Sequence, residues 1–408
     1  MRWTISFLLF VLTIINYADR GVLGAVGPIL IKEFHLTVAQ FGVVASAFGW
    51  GYCTMVFLSG GIVAGLGPRR TYQWFVTLWS LLIAAVATAN SFGALLVLRA
   101  LFGASEGTVF PGGSHLIGKW LPYSERGRAA ALMGSGIPLG SLLVVPFAVW
   151  LTHSYGWRLP FVALGAVGIV WVIFASFLVT DLPRENRRVS TGELSMIGEG
   201  SPEQGAAGAP WGKILRSRTL WLTGLAFFSS AYGLYFMLNF FPTYLVRERG
   251  IPFASIALIG TLPWVAMTIG ALVSGVASDR VLSVSKDLRK ARSYFAGGCL
   301  VVTGVLIGMT VLLSNTTAIV AIISLASFVN FVANPIFFAI PIDAAPEFAG
   351  PASSLTTGIG SLAGIVAPLL TGALVQQTGT FASAFIFVAA LPIVFGLLLI
   401  VACRPDRL

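Results

Sequence analysis

This sequence is short of charge. Of its 408 residues only 10% are Asp, Glu, Lys or Arg, against about 25% in soluble domains, too few to cover a water-facing surface. Three cysteines, Cys53, Cys299 and Cys403, each lie inside an apolar stretch; an odd count with no extramembrane pair argues against a disulfide framework. Outside the apolar runs there is no metal-ligand cluster, no phosphate loop and no nucleophile–base set. No enzyme activity and no cofactor is therefore expected. The formal charge of +10 does not point to nucleic acid, because the basic residues alternate with long apolar runs and form no patch.

What is present is apolar. Hydrophobic residues make up 57% of the chain and the mean hydropathy is +0.89, so lipid is the expected solvent. The 46 glycines fit this reading, because close helix approach in membranes favours small residues. Arg2 and the apolar run Trp3 to Ile15 resemble a signal peptide, but no small-residue cleavage site follows. The chain continues Asn16-Tyr17-Ala18-Asp19-Arg20 and stays apolar to Ile31, which reads as a first span. A spanning helix needs about 20 apolar residues. Twelve such runs occur, at 5–31, 41–63, 72–91, 93–118, 128–152, 159–180, 219–245, 254–277, 293–313, 317–341, 352–376 and 381–403. Runs of this length are helices rather than the shorter alternating strands of a membrane barrel. The predicted fold class is an all-α membrane protein of twelve transmembrane helices.

Loop charge orients the spans. With the N-terminus in the cytoplasm, nineteen of the 25 basic residues fall on cytoplasmic segments and only Lys32, Arg158, Arg247 and Arg249 on the opposite side. Both termini are expected to be cytoplasmic. The longest break, 181–218, is rich in Gly, Ser, Ala and charge from Ser190 to Gly208 and reads as a flexible connector. It separates a first six-helix bundle, 1–181, from a second, 219–408, with 182–218 as linker. Trp211 to Arg218 reads as a short interfacial piece before span 7.

The two halves repeat. After span 2 stands Gly60-Gly61-Ile-Val-Ala64-Gly65-Leu-Gly67-Pro-Arg69-Arg70, and after span 8 Gly275-Val-Ala-Ser-Asp279-Arg280 with a basic cluster to Arg292. After span 4 Pro122-Tyr-Ser-Glu125-Arg126-Gly127 has the counterpart Pro346-Glu347-Phe-Ala-Gly350 after span 10. Matching loops in two six-helix halves are what parallel repeats of a transporter give. The chain here resembles the major facilitator superfamily, whose commonest signature is this glycine/acid/arginine loop. Ala64 and Gly65 depart from it, standing where an acid and an arginine are typical. The resemblance therefore implies a weakened inter-domain brace in the first half.

Of fifteen acidic residues only Asp19 and Glu106 lie well inside spans, and Arg20 and Arg99 are the only basic residues in similar positions. A charge near the bilayer centre costs about 2.5–3.5 kcal/mol on insertion scales. Arg99 and Glu106, seven positions apart, share a helical face about 10.5 Å apart along the axis. Asp19 and Arg20 point about 100° apart, so one can face the cavity and the other span 4. A cluster that only packed spans 1 and 4 would gain nothing over apolar contacts, which carry no desolvation cost. An arginine is a fixed charge that can fork a carboxylate, and a carboxylate in a dry cavity can carry a proton. Together they make a minimal coupled machine.

Asn16-Tyr17-Ala18-Asp19-Arg20, the stretch Arg99-Ala-Leu-Phe-Gly-Ala-Ser-Glu106-Gly-Thr-Val-Phe-Pro111-Gly, and Trp120-Leu-Pro-Tyr-Ser-Glu125-Arg126 resemble the anion:cation symporter family. So do Asn239-Phe-Phe-Pro242-Thr-Tyr244-Leu and Asn334-Pro335-Ile-Phe-Phe-Ala-Ile-Pro341. That branch includes bacterial sugar-acid permeases such as those for galactonate and hexuronates. The resemblance implies that Asp19 and Glu106 are the protonation sites, that Arg20 pairs with an acid, and that Arg99 couples proton to substrate. It also implies that Tyr17 and Tyr52 line the pocket. Ile137 in span 5 and Phe337-Phe338 in span 10, with Thr357 in span 11, stand where sugar-acid members often carry polar residues. A less hydroxylated acid than an aldonate is compatible with that.

Asn330 and Asn334 in span 10 are further candidates for substrate contact, with ordinary interhelical hydrogen bonding as the alternative. Gly-x-x-x-Gly pairs at 61/65, 103/107, 136/140 and 360/364 read as packing devices, those in spans 5 and 11 also easing a slide of the two halves. The expected function is import of a small organic anion, a sugar acid or other monocarboxylate, with protons as the coupling ion and by alternating access. The carrier is expected to be a monomer in a bacterial inner membrane. An exchanger, an efflux or a sodium-coupled carrier on the same fold remains open, and more remotely a transporter-like receptor.

Overall fold

The computed structural model describes residues 1–197 and 211–405; the side chains of Tyr123, Val276, Ser278, Asp279, Leu282 and Pro346 and the connector residues 198–210 lie outside the described residues. Twelve helices are long and apolar enough to cross a membrane. They are Arg2–Ala25, Val38–Leu66, Pro68–Thr88, Phe92–Trp120, Ser124–Tyr155, Leu159–Leu178, Arg218–Arg247, Phe253–Ser274, Lys290–Leu312, Thr316–Ala344, Ala349–Thr378 and Ala382–Ala402. These are spans 1 to 12 below. No strand occurs among the described residues.

Span 1 ends earlier than the apolar run, at Ala25, because Pro28 follows; a short helix Gly27–Glu33 restarts with that proline in its first turn. Spans 4, 10 and 11 are interrupted at Gly107–Thr108, Asn334–Pro335 and Leu362. Pro335 lacks the N–H that the helix would need there. Other ends follow sequence signals. Ser91 and Asn315 accept hydrogen bonds from the N–H groups of Ala94 and Ala318, at 3.2 and 3.1 Å, and cap spans 4 and 10. Spans 5 and 11 both stop at a glycine with positive φ, Gly156 at 90° and Gly379 at 76°, a conformation that costs other residues a steric clash.

Contacts divide the chain into two units, Met1–Leu36 with Val43–Glu203 and Thr37–Gly42 with Gln204–Leu408. Within the first, span 1 packs on span 5 and span 3 on span 6. Within the second, span 7 packs on span 11, span 9 on span 12 and span 8 on span 10. Gly51 against Ala100 and Gly103 against Phe48 bring spans 2 and 4 together, so each pairing in one unit has its counterpart in the other. Gly136 and Gly140 admit the backbone of span 1 at Phe10 and Ile14, and Gly360 and Gly364 admit Phe227 and Tyr235 of span 7. Gly136, Gly140, Gly360 and Gly364 thus face neighbours in their own bundle. A Cβ at Gly61 or Gly65 would meet open space among the described residues, so neither glycine is needed there for a close helix approach. Phe177, Leu272 and Val401 are exposed, as apolar side chains are where lipid is the solvent.

The first-half loop recovers an acid by another route. The Asp181 carboxylate, at the end of span 6, accepts the Arg69 backbone N–H at 2.8 Å and fills the space beside Gly67. It thereby caps the start of span 3 with negative charge. The connector is not featureless either, since Thr191–Ile197 is helical. Glu193 on that helix accepts from the Arg2 backbone N–H at 2.7 Å, while the Arg2 side chain pairs with Glu125 at 2.8 Å. Partial burial pushes the Glu193 carboxyl up, but the bonds from the Arg2 N–H and the terminal amine, with the Arg2 charge, outweigh it and hold the group below its usual range.

Candidate functional site

Asp19 and Arg20 lie one and a half turns before the end of span 1, and Arg99 and Glu106 on the first helix of span 4, Phe92–Glu106. Glu106 is the last residue before the interruption at Gly107. The four side chains are almost fully buried, at 0%, 2%, 2% and 0% exposure in chain order. Of the two neighbours on span 1, Arg20 is the one that meets span 4: its Nε donates to Glu106 Oε2 at 2.7 Å.

The other two charges have no such partner. Both Asp19 oxygens and the Nε and Nη1 of Arg99 are buried without a hydrogen bond, as is Glu106 Oε1. Asp19 interacts with the indole N–H of Trp79 on span 3, and Asn16 with Glu106. Neither contact reaches full hydrogen-bond geometry. Leaving a buried charge-bearing group unsatisfied costs more than a typical neutral hydrogen bond contributes. Chemically, an unsatisfied buried acceptor of this kind can take a proton and an unsatisfied buried donor an anion.

Aromatic rings surround both guanidiniums. The Arg20 guanidinium carbon lies 4.8, 4.9 and 4.5 Å from the ring centroids of Tyr17, Phe48 and Tyr52. That of Arg99 lies 5.0 and 5.1 Å from Phe48 and Phe102. All are within the range of a cation–π interaction. The structure therefore brings together Tyr17, Asp19, Arg20, Tyr52, Arg99 and Glu106 in the first unit, and it adds Phe48, Phe102 and Trp79. A signal for Phe48 existed: it stands four residues before Tyr52, on the same helical face.

In the second unit the candidates are dispersed. Asn330 donates to the Ser230 carbonyl at 3.3 Å, and its Oδ1 is buried without a partner. It lines a cavity inside that unit with Ser229, Thr303, Ser327, Met237 and Met267. Asn334 sits at the interruption of span 10, where its carbonyl accepts the Phe337 N–H at 3.2 Å. Thr357 is half-buried, and its carbonyl accepts the Ser361 hydroxyl at 2.9 Å. Phe337 is 1% exposed and packed with Ala226, Leu300 and Ile340 in that bundle's own core. No charged side chain of the second unit is buried among the described residues.

Residues 9–368 match the family model described as Major Facilitator Superfamily. The chain belongs to the major facilitator superfamily. Membership places it among transporters rather than enzymes. It is 31% identical over 400 residues to the hexuronate transporter of Bacillus subtilis, covering 97% of this chain and 93% of that protein. It is also 31% identical over 381 residues to the probable sulfoacetate transporter of Cupriavidus necator, covering 92% and 88%. Among solved structures, a bacterial homolog of the human lysosomal transporter Spinster superposes with a TM-score of 0.77 at 17% identity, covering 100% of this chain and 98% of that one. That likeness speaks for the fold alone.

Proposed function

We propose that this protein is a proton-coupled symporter that imports a small organic anion by alternating access. Both termini would face the cytoplasm of a bacterial inner membrane, and one chain would be the working unit. The reading rests on one observation above the others: a buried cluster of two cations and two acids in which Glu106 is tied to Arg20 while Arg99 keeps two N–H donors without partners.

With both acids ionised the cluster is neutral. Each proton it takes leaves one positive charge over, and a monovalent anion restores neutrality inside the low-dielectric bundle. A proton on Glu106 removes the carboxylate that occupies Arg20, and Arg99 offers a planar fork that matches a carboxylate. Asp19, without a hydrogen-bonded cation, is the second proton site. One proton per monoanion makes transport electroneutral; two would move one net positive charge inward. Tyr17 and Tyr52 beside Arg20 would contribute apolar faces and hydroxyls to the substrate. Relatives named for a hexuronate and for sulfoacetate support an acidic head on a small organic body as the common requirement.

The test is reconstitution in liposomes with a panel of hexuronates, hexonates, sulfonates and short-chain or aromatic acids, recording external pH. Alkalinisation on addition of one acid is the expected result and gives its class. Exchange of labelled acid with no pH change for any of them would replace symport by exchange or by sodium coupling.

A further inference from the structure

Arg20 and Arg99 are like charges buried in one cluster, and only Arg20 has a carboxylate on it. What they share is Phe48. Its ring centroid lies 4.9 Å from one guanidinium carbon and 5.0 Å from the other. Phe48 is in turn fixed on both sides, stacked on Tyr52 at 5.7 Å with an interplanar angle of 17° and tilted against Phe102 at 5.5 Å. Its backbone is fixed too, since Gly103 lets span 4 approach span 2 at the Phe48 carbonyl, and any Cβ there would collide with it. Phe48 is 3% exposed, so water does not screen its ring.

We propose that Phe48 is a positioning residue for the anion site, its ring holding the Arg20 and Arg99 guanidiniums in place when no carboxylate does so. This rests on the reading of the cluster as an anion site. Arg99, whose Nε and Nη1 are buried without a hydrogen bond, needs some other source of negative potential in a dry bundle, and the face of an aromatic ring supplies it without competing as a ligand. A carboxylate in the place of Phe48 would neutralise an arginine and close the site to substrate. An aliphatic residue would fill the volume but remove the ring face that both guanidiniums share. The aromatic ring keeps both arginines oriented and still available, through the moment when Glu106 carries a proton. Phe48 acts through the arginines, and its effect belongs in substrate affinity.

The experiment replaces Phe48 by mono-, di- and trifluorophenylalanine, which drain the ring face stepwise at nearly constant shape. Two readouts are taken on the full-length protein: KM and kcat for an acid that the native protein transports, and Tm in detergent. The expected result is a KM that rises with each fluorine, about tenfold across the series, with kcat changing much less and Tm falling in step. Phe48→Leu should share the raised KM and Phe48→Tyr should rescue it. A flat Tm series would overturn the contact itself, whatever is transported. A falling Tm with an unchanged KM would make the ring a packing element only and overturn the positioning role. If no acid is transported by the native protein, the anion-carrier reading fails, and the Tm series still decides whether the ring supports the arginines.

Discussion

In the first unit four charged side chains and four aromatic rings meet between spans 1, 2 and 4, whereas the cavity of the second is lined by Asn330, Ser229, Ser327 and Thr303 among apolar residues. The helices pair in the same pattern in both, so the difference is chemical rather than architectural. Neutral amides and hydroxyls can be buried at modest cost because helix carbonyls satisfy most of them, as Ser229 and Thr303 do with Ala226 and Cys299. Ions cannot. A bundle that concentrates its charges in one place while its repeat manages with Asn and Ser is carrying a load that packing does not ask for.

The largest effect expected is on stability. Arg20→Leu leaves Glu106 buried with no cation on it, which should cost about 3–5 kcal/mol and show as a large fall in Tm and in folded yield. Arg20→Leu combined with Glu106→Leu should regain most of that loss while remaining inactive. Equal damage from the single and the double variant would mean that the pair is not what holds spans 1 and 4.

Next in size is transport. Arg99→Lys replaces a fork by a point charge; losing two charge-assisted bonds to substrate should lower kcat/KM on the order of a hundredfold. In the second unit, Asn330→Ala removes one bond to Ser230 and should cost about 1 kcal/mol of stability, with transport changed only a few-fold. If Asn330→Ala proved the more damaging to transport, the chemical asymmetry between the units would be misread.

The smallest effect concerns the helix Thr191–Ile197. Glu193 has a folded-state value below its unfolded one, so its contribution is complete above the ordinary carboxylate range near 4.3 and disappears as pH falls through the depressed value. Hydrogen exchange of residues 191–197 should quicken over that acid window in the native chain, and Glu193→Gln should remove the pH dependence.

Much of this was legible in the sequence because the membrane writes plainly. Twelve apolar runs gave twelve helices, and Asp19, Arg20, Arg99 and Glu106 stood out since buried charge is rare in lipid. The choice between Asp19 and Arg20 as partner for span 4 depends on helix rotation, which two adjacent residues leave open. Phe48 and Phe102 did not stand out among 30 phenylalanines, because an aromatic that supports a cation has the same composition as one that faces lipid. The interruptions in spans 4, 10 and 11 were hidden for a related reason. Pro138, Pro242 and Pro368 lie inside helices without ending them, so proline alone does not mark a break in a membrane bundle. Asp181 capping the start of span 3 was invisible to a motif confined to one loop, since it arrives from 112 positions away.

The most direct test of the central claim, that coupling resides in the buried cluster of the first unit, is Glu106→Gln in proteoliposomes, with accumulation under a pH gradient and substrate-for-substrate exchange measured side by side. The account predicts that accumulation is lost while exchange persists. Accumulation that survives at the native level would contradict it and take the proton off Glu106.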